Sequence, residues 1–196
     1  KNKFVLGITG SIACGKSTVA EMFKTQGCLL IDADRLGHNS LSAGSSVYKK
    51  LKQVFGKTIL KPDSQIDRGK LAKIVFANQA ALAKLNGIVH PVLIKEIKRR
   101  IKASRQKIVI LDAALIIEAG LRKIVDKLVV VRAKRNQQIL RKQKSSGLTK
   151  KQILERLKSQ ISQKAKLGFA DFTIDNSGSI SETRKQVLEI RRKLWK

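Results

Sequence analysis

Apolar residues in this chain come in short unbroken runs, separated by longer stretches where they recur every three or four positions. Five runs read as strands: FVLGIT (4–9), CLLID (28–32), KIVILD (107–112), KLVVVR (127–132) and DFTID (171–175). The third and fourth are almost continuous Val, Ile and Leu, as in strands buried on both faces of a parallel sheet. Helical spacing fills intervals at 17–26, 133–144, 149–164 and 181–195. Strand and helix in alternation argue a doubly wound α/β fold in three layers, with a central parallel sheet of about five strands. A ligand on such a sheet belongs at the carboxyl ends of the strands.

The alternation lapses between Asp34 and Lys107. No buried-strand run appears there, whereas VYKKLKQVF, DRGKLAKIVF and HPVLIKEIKRRI carry helical spacing. This interval is expected to be a mostly helical insertion. Its last helix is expected to begin at Pro91, a residue suited to the first helical position, with His90 before it as a cap. A second distinct segment, SSGLTKKQILERLKSQISQKAK, reads as a basic helix pair with a Gly-containing hinge, which suits a lid.

Chemistry enters with GSIACGKST, directly behind the first strand. It fits G-x-x-x-x-G-K-[ST], with Gly10, Gly15, Lys16 and Ser17 at the specified positions. Glycines there let the backbone bend around a phosphate with its N–H groups turned inward. The helix that follows adds the positive end of its dipole. Lys16 would reach the terminal phosphates of a nucleotide, and the Ser17 hydroxyl would ligate Mg²⁺. A Lys in the first turn of a helix is electrostatically misplaced unless an anion sits beside it. These residues point to a phosphate-loop (P-loop) nucleotide site formed by Gly10, Ser11, Ile12, Ala13, Cys14, Gly15, Lys16, Ser17 and Thr18.

Carboxylates cluster near that site in the sequence order. Asp32 and Asp34 close the second strand and, at strand spacing, are expected to point to one side. Either would accept a proton from an acceptor hydroxyl or hold Mg²⁺ through water, and either would equally cap the following helix. Asp112 closes the third strand, where a carboxylate would orient the waters of a metal ion. Glu118 reads as a solvated helix residue. Arg68, Arg141 and Arg156 are candidate phosphate forks.

Composition narrows the partners. The 196 residues carry 42 Lys plus Arg against 14 Asp plus Glu, a formal +28. Such a field favours polyanions in general, including nucleotides and, non-specifically, RNA. Aromatics are only 4%, too few for a base-stacking platform, which argues against a dedicated RNA-binding module. No apolar run approaches the roughly 18 residues of a membrane span, and no signal-peptide pattern precedes the first strand. Cys14 and Cys28 have no metal-like spacing and are expected to be free thiols in a reducing cytoplasm.

Taken together, the blocks GSIACGKST, DAD (32–34), DRGKLAKIVF (67–76), LNGIVHPVL (85–93), LDAALIIEAGL (111–121), SGLT, ERLKSQ and ADFTIDNSGS (170–179) resemble the dephospho-coenzyme A kinase family over nearly the full length. The resemblance implies transfer of the γ-phosphate of ATP to the ribose 3′-hydroxyl of dephospho-coenzyme A, with Mg²⁺. It implies a nucleotide-binding core of residues 1–34, 106–144 and 166–196, a helical acceptor domain at 35–105, and a lid at 145–165. It makes Asp34 the catalytic base, with Lys16 also catalytic, and Ser17 and Asp112 the metal contacts. Arg141, Asn176 and Gly178 join the loop in binding ATP. Asp32, Asp34, Arg68, His90, Leu115, Glu118, Arg156 and Gln160 would bind the acceptor. A monomer or weak homo-oligomer is expected.

Departures from the family pattern are visible as well. Ser11 stands where a Gly is usual, Ala114 where a Pro is, and Ile116 where a Leu is. Ser145 stands where an Arg is expected to stabilise the transferred phosphate, with Lys144 or Arg141 as substitutes. This last departure bears on turnover rather than on fold or substrate. Other small phosphate-loop kinases, acting on a nucleoside, a nucleotide or shikimate, are the nearest alternative, and a basic RNA-associated NTPase is a more distant one.

Overall fold

The computed structural model describes residues 3–195. Its elements run β1 (Phe4–Gly10), α1 (Lys16–Phe23), β2 (Cys28–Asp32), α2 (Ala33–Asn39), α3 (Ser46–Phe55), α4 (Arg68–Ala77), α5 (Gln79–Ala103), β3 (Ile108–Asp112), β4 (Lys127–Arg132), α6 (Arg135–Ser146), α7 (Lys150–Lys158), α8 (Gln163–Leu167), β5 (Phe172–Asp175) and α9 (Ile180–Leu194). All five predicted strands form, within a residue of their expected limits. They make one parallel sheet in the order β2-β3-β1-β4-β5. The chain leaves β1 toward β2 and leaves β4 toward β5, in opposite directions. A crevice therefore opens at the carboxyl ends between β1 and β4, as this topology requires.

The chain divides into two compact units. One holds the residues up to Asp32 together with those from Ala103 onward; the other holds Ala33–Lys102. In the first, Leu6, Ile8, Ile110, Val129 and Val131 of the sheet pack with Val19 and Phe23 of α1 and Val187 and Ile190 of α9. The unbroken apolar runs of β3 and β4 are buried along nearly their whole length, as the run composition implied. Trp195 meets the edge of Phe23 at 6.1 Å between ring centroids, which fastens the end of α9 to α1.

The helical unit has its own core of Val47, Tyr48, Leu51, Ile59, Ile66, Leu71 and Val75. Ser45 caps α3 by accepting from the Tyr48 N–H, and Asp67 caps α4 by accepting from Gly69 and Lys70. One element departs from expectation. Pro91 does not start a helix: it lies inside the 25-residue α5. Ala81, Leu82, Leu85, Ile88 and Val89 all pack on the unit's core upstream of it. Their spacing holds that segment helical, and packing overrides the boundary signal of an exposed proline. His90 is therefore a half-buried residue in mid-helix rather than a cap.

The segment 149–164 also differs. It is two helices, α7 and α8, with a break over 159–162. Ser162 caps α8 by accepting from the Ala165 N–H. Gly147, with φ 64, ends α6 in the left-handed conformation that glycine adopts at least cost, so the anticipated hinge lies between α6 and α7.

Pro91 lacks the N–H that its position in α5 would use, a defect of about 3 kcal/mol in a helix interior. Proline also restricts the unfolded chain, which offsets about 1 kcal/mol of that. Pro91→Ala should therefore raise stability by about 2 kcal/mol, read as a higher guanidinium midpoint at unchanged slope. A lower midpoint would show that the ring is needed where it sits.

Candidate active site

The loop from Gly10 to Lys16 joins β1 to α1, with Gly15 at φ 90 as the residue before the helix. Two glycines are demanded by their surroundings. A Cβ on Gly10 would run into the Cys14 sulfur and the Val131 carbonyl oxygen, and one on Gly15 into the Asn176 side-chain amide. Ala13 also holds a positive φ of 57, a strained choice for a residue with a side chain. Such turns point successive N–H groups to one side, which is what a phosphate requires.

The loop's carbonyls then need donors from elsewhere. Asn176, just past β5, donates from Nδ2 to the Cys14 carbonyl at 2.8 Å in a fully buried bond. Its Oδ1 accepts from the Thr183 hydroxyl at 2.8 Å, and its own N–H donates to Arg132. Arg141 on α6 donates to the Asn176 carbonyl at 3.0 Å. The other guanidinium nitrogen, Nη1, is buried beside Gly15 and makes no hydrogen bond among the described residues. A buried, unsatisfied cationic donor next to a phosphate loop is a place made for an anion. Gly178 is exposed two residues on, and a Cβ there would run into the Glu182 carboxylate that completes the capping box of α9.

Lys16 begins α1, and its ammonium lies 3.5 Å from the buried Asp112 carboxylate. Ser17 and Thr18 are exposed at the start of the same helix. Asp32 ends β2 and is the register partner of Asp112 at the end of β3, so the two carboxylates stand side by side on adjacent parallel strands. Strand spacing does not relate Asp32 to Asp34, because the chain turns helical at Ala33 and Asp34 lies in the first turn of α2. A register across strands is invisible along one strand, so this pairing had no signal in the sequence.

Mg²⁺ suits such a place: it takes hard oxygen ligands, retains water, and uses few carboxylates beside a nucleotide's phosphates. Among the described residues no three His, Cys, Asp or Glu side chains gather into a cage. Ser17 at the start of α1 and Asp112 at the end of β3 each carry a hard oxygen donor of the kind such a metal takes.

The break between α7 and α8 wraps the site from another side. Gln160 accepts from the Ile12 N–H of the loop at 3.1 Å. Ile161 donates its N–H to Glu118 at 3.1 Å. Lys166, wholly buried, donates to the Ala114 carbonyl at 2.6 Å and pairs with Glu118 at 2.9 Å. Glu118 is thus a half-buried tie in the turn after β3 rather than a solvated helix residue, and its Oε2 is buried without a hydrogen bond among the described residues. Leu115 lies half-buried in the same turn. Nothing in the spacing of Lys166 marked it as interior. A cleft of about 400 Å³ opens between Ser11, the start of α6 and the segment 157–163.

Arg156 on α7 is half-buried. Arg68 and His90, like Asp34, belong to the helical unit: Arg68 is exposed at the start of α4 and His90 half-buried in α5. Ser145 is exposed in the last turn of α6, its hydroxyl turned back on its own helix. Cys14 and Cys28 are both free. Burial pushes the Cys14 thiol up to about 11, over the opposing pull of the Lys16 N–H and charge, so it is neutral near pH 7.

The dephospho-CoA kinase family model matches residues 4–182. A dephospho-CoA kinase of Carboxydothermus hydrogenoformans is 42% identical over 98% of this chain and 94% of its own. One of Aquifex aeolicus is 43% identical over 96% of each. Among solved structures, TT1252 from Thermus thermophilus superposes with a TM-score of 0.84 at 26% identity over the whole of both chains. The dephospho-CoA kinase of Campylobacter jejuni gives 0.67 at 28% identity, over 97% of this chain and 96% of that one. A shikimate kinase of Bacteroides thetaiotaomicron, 11% identical, shares the fold alone, with a TM-score of 0.58.

Asn176→Ala should cost about 1–3 kcal/mol, because it leaves the buried Cys14 carbonyl without its donor. Loss of ATP affinity should accompany it, measured by calorimetry on protein still folded by circular dichroism. Unchanged affinity would mean that the loop keeps its shape unaided. The Cys14 proton is held more tightly in the folded chain than at its ordinary value of 9.0. Its contribution to stability is thus complete below about pH 9 and is lost as pH rises toward about 11. Chemical denaturation from pH 8 to 11 should show a fall that is shallower in Cys14→Ala.

Proposed function

The chain belongs to the dephospho-CoA kinase family, and from that premise we propose that it transfers the γ-phosphate of ATP to the ribose 3′-hydroxyl of dephospho-coenzyme A. The phosphate loop supports this reading most directly: a strand-to-helix turn with two glycines that no other residue can replace, clamped by Asn176 and flanked by the unsatisfied Arg141 nitrogen. Residues Gly10 to Thr18 hold the phosphates of ATP, Lys16 reaches the γ-phosphate, and Arg141, Asn176 and Gly178 border the nucleoside. Asp34 takes the proton of the attacking hydroxyl. Arg68 and His90 from the helical unit bind the acceptor, as do Asp32, Leu115, Glu118, Arg156 and Gln160 from the core. Bound with ATP, Mg²⁺ would be held by Ser17 and Asp112 and would screen the charge of the β- and γ-phosphates.

Catalysis of this kind is positioning and electrostatics rather than covalent chemistry. The segment 145–165 is assigned as the lid that keeps water from the γ-phosphate. The fastening of Gln160 to Ile12 supports that role, since it joins the end of this segment to the loop. We place the enzyme in the cytoplasm, a reducing compartment that suits two free thiols. The +28 surface would attract polyanions such as RNA only non-specifically, an association that should collapse with salt.

The test is ADP release from Mg-ATP with and without dephospho-coenzyme A. Acceptor-dependent ADP with coenzyme A as product is expected; release driven instead by shikimate or a nucleoside would replace the substrate. Asp34→Asn should lower kcat by about 10²–10⁴-fold with ATP binding nearly intact, as loss of a general base does. An equal loss of ATP affinity would assign Asp34 to the metal.

A further inference from the structure

Lys16, Arg141, Lys142 and Arg156 are cationic side chains of the core on the elements around the loop, besides the buried Lys166 that pairs with Glu118. Lys16 is held near Asp112, and Arg141 is anchored on the Asn176 carbonyl beside Gly15. Lys142 is different. Its ammonium makes no ion pair or hydrogen bond among the described residues, although the residue is half-buried.

Helix geometry fixes where Lys142 faces. Gln138, buried and bonded to Gln163, lies one turn before it, and Arg141 at the loop immediately precedes it. Residues 138, 141, 142 and 145 share one side of α6, whereas 144 lies about 160° around the helix from 142. Lys144 is accordingly exposed to solvent, and Ser145 carries no charge. Lys142 is thus the cation that α6 turns inward beyond Arg141. Consistent with this, its pKa is held down first by burial and then by the charges of Arg156 and Lys16. A half-buried, unpartnered cation repelled by two others is a standing cost to the folded chain that an anion beside it would offset.

We propose that Lys142 is a catalytic residue of the phosphoryl transfer, its ammonium touching the γ-phosphate opposite Lys16. This rests on the kinase reading above. In the step, the acceptor oxygen bonds to the γ-phosphorus as the bond to the β–γ bridging oxygen breaks. ADP departs with that electron pair, the hydroxyl proton passes to Asp34, and Lys142 remains protonated throughout. Its charge stabilises the phosphoryl group in flight more than it stabilises bound ATP.

The experiment compares wild type, Lys142→Met and Lys142→Arg in steady-state kinetics. It adds the affinities for a non-hydrolysable ATP analogue and for ADP–aluminium fluoride with dephospho-coenzyme A. Lys142→Met should lower kcat by about 10²–10³-fold and weaken the transition-state mimic comparably. Affinity for the ATP analogue should stay within about threefold. Its melting midpoint should be unchanged or higher, since a repelled cation is removed, and Lys142→Arg should recover most of the rate. A Lys142→Met enzyme with kcat near wild type, or with only its KM for ATP raised, would overturn the assignment while leaving the kinase reading intact. A wild-type protein that makes no acceptor-dependent ADP would overturn both.

Discussion

A phosphate loop that turns its N–H groups outward to a ligand turns carbonyls into the protein, and a buried carbonyl without a donor costs more than a typical hydrogen bond returns. The Cys14 carbonyl meets this constraint through Asn176, whose amide lies 162 residues away in sequence and 2.8 Å away in space. That bond requires β5 to end beside the loop, which requires β4 between β1 and β5. It also requires Gly15, since any side chain there would occupy the place of the amide. Thr183 holds the other end of the same amide and thereby ties the start of α9 to the loop. The parallel sheet, its strand order and the last helix all serve this one satisfied carbonyl.

Around the loop the charges are arranged for a ligand rather than for the chain itself. Arg141 has a buried nitrogen with no hydrogen bond among the described residues, and Lys142 is repelled by Arg156 and Lys16. Asp32 and Asp112 stand side by side at adjacent strand ends, with Lys16 near the second. Each feature costs stability in isolation, and all of them lie at one end of the sheet. Backbone strain and charged groups gathered at one end of the sheet are what a binding site for a charged substrate looks like.

Where the local reading of the sequence failed, a longer-range contact mostly outweighed a local preference. Pro91 signals a helix start, yet the apolar positions upstream of it pack on the core of the helical unit and carry α5 through. The basic stretch after Thr149 has continuous helical spacing, yet it breaks at 159–162. There Gln160 is drawn to Ile12 and the Ile161 N–H to Glu118. Asp34 shares strand spacing with Asp32, yet the strand ends first. The first two failures involve a partner far along the chain or on another element; the third follows from the end of β2 at Asp32.

The sequence by itself determined the five strands, the phosphate loop, the helical interruption after β2 and the family, because hydrophobic period and glycine spacing are local properties written into consecutive residues. Strand order, the register that sets Asp32 beside Asp112, the clamp of Asn176 on Cys14 and the burial of Lys166 were decided only by the tertiary structure. These depend on which backbone groups remain to be satisfied once the sheet has closed, and that is a property of the packed chain rather than of any segment of it.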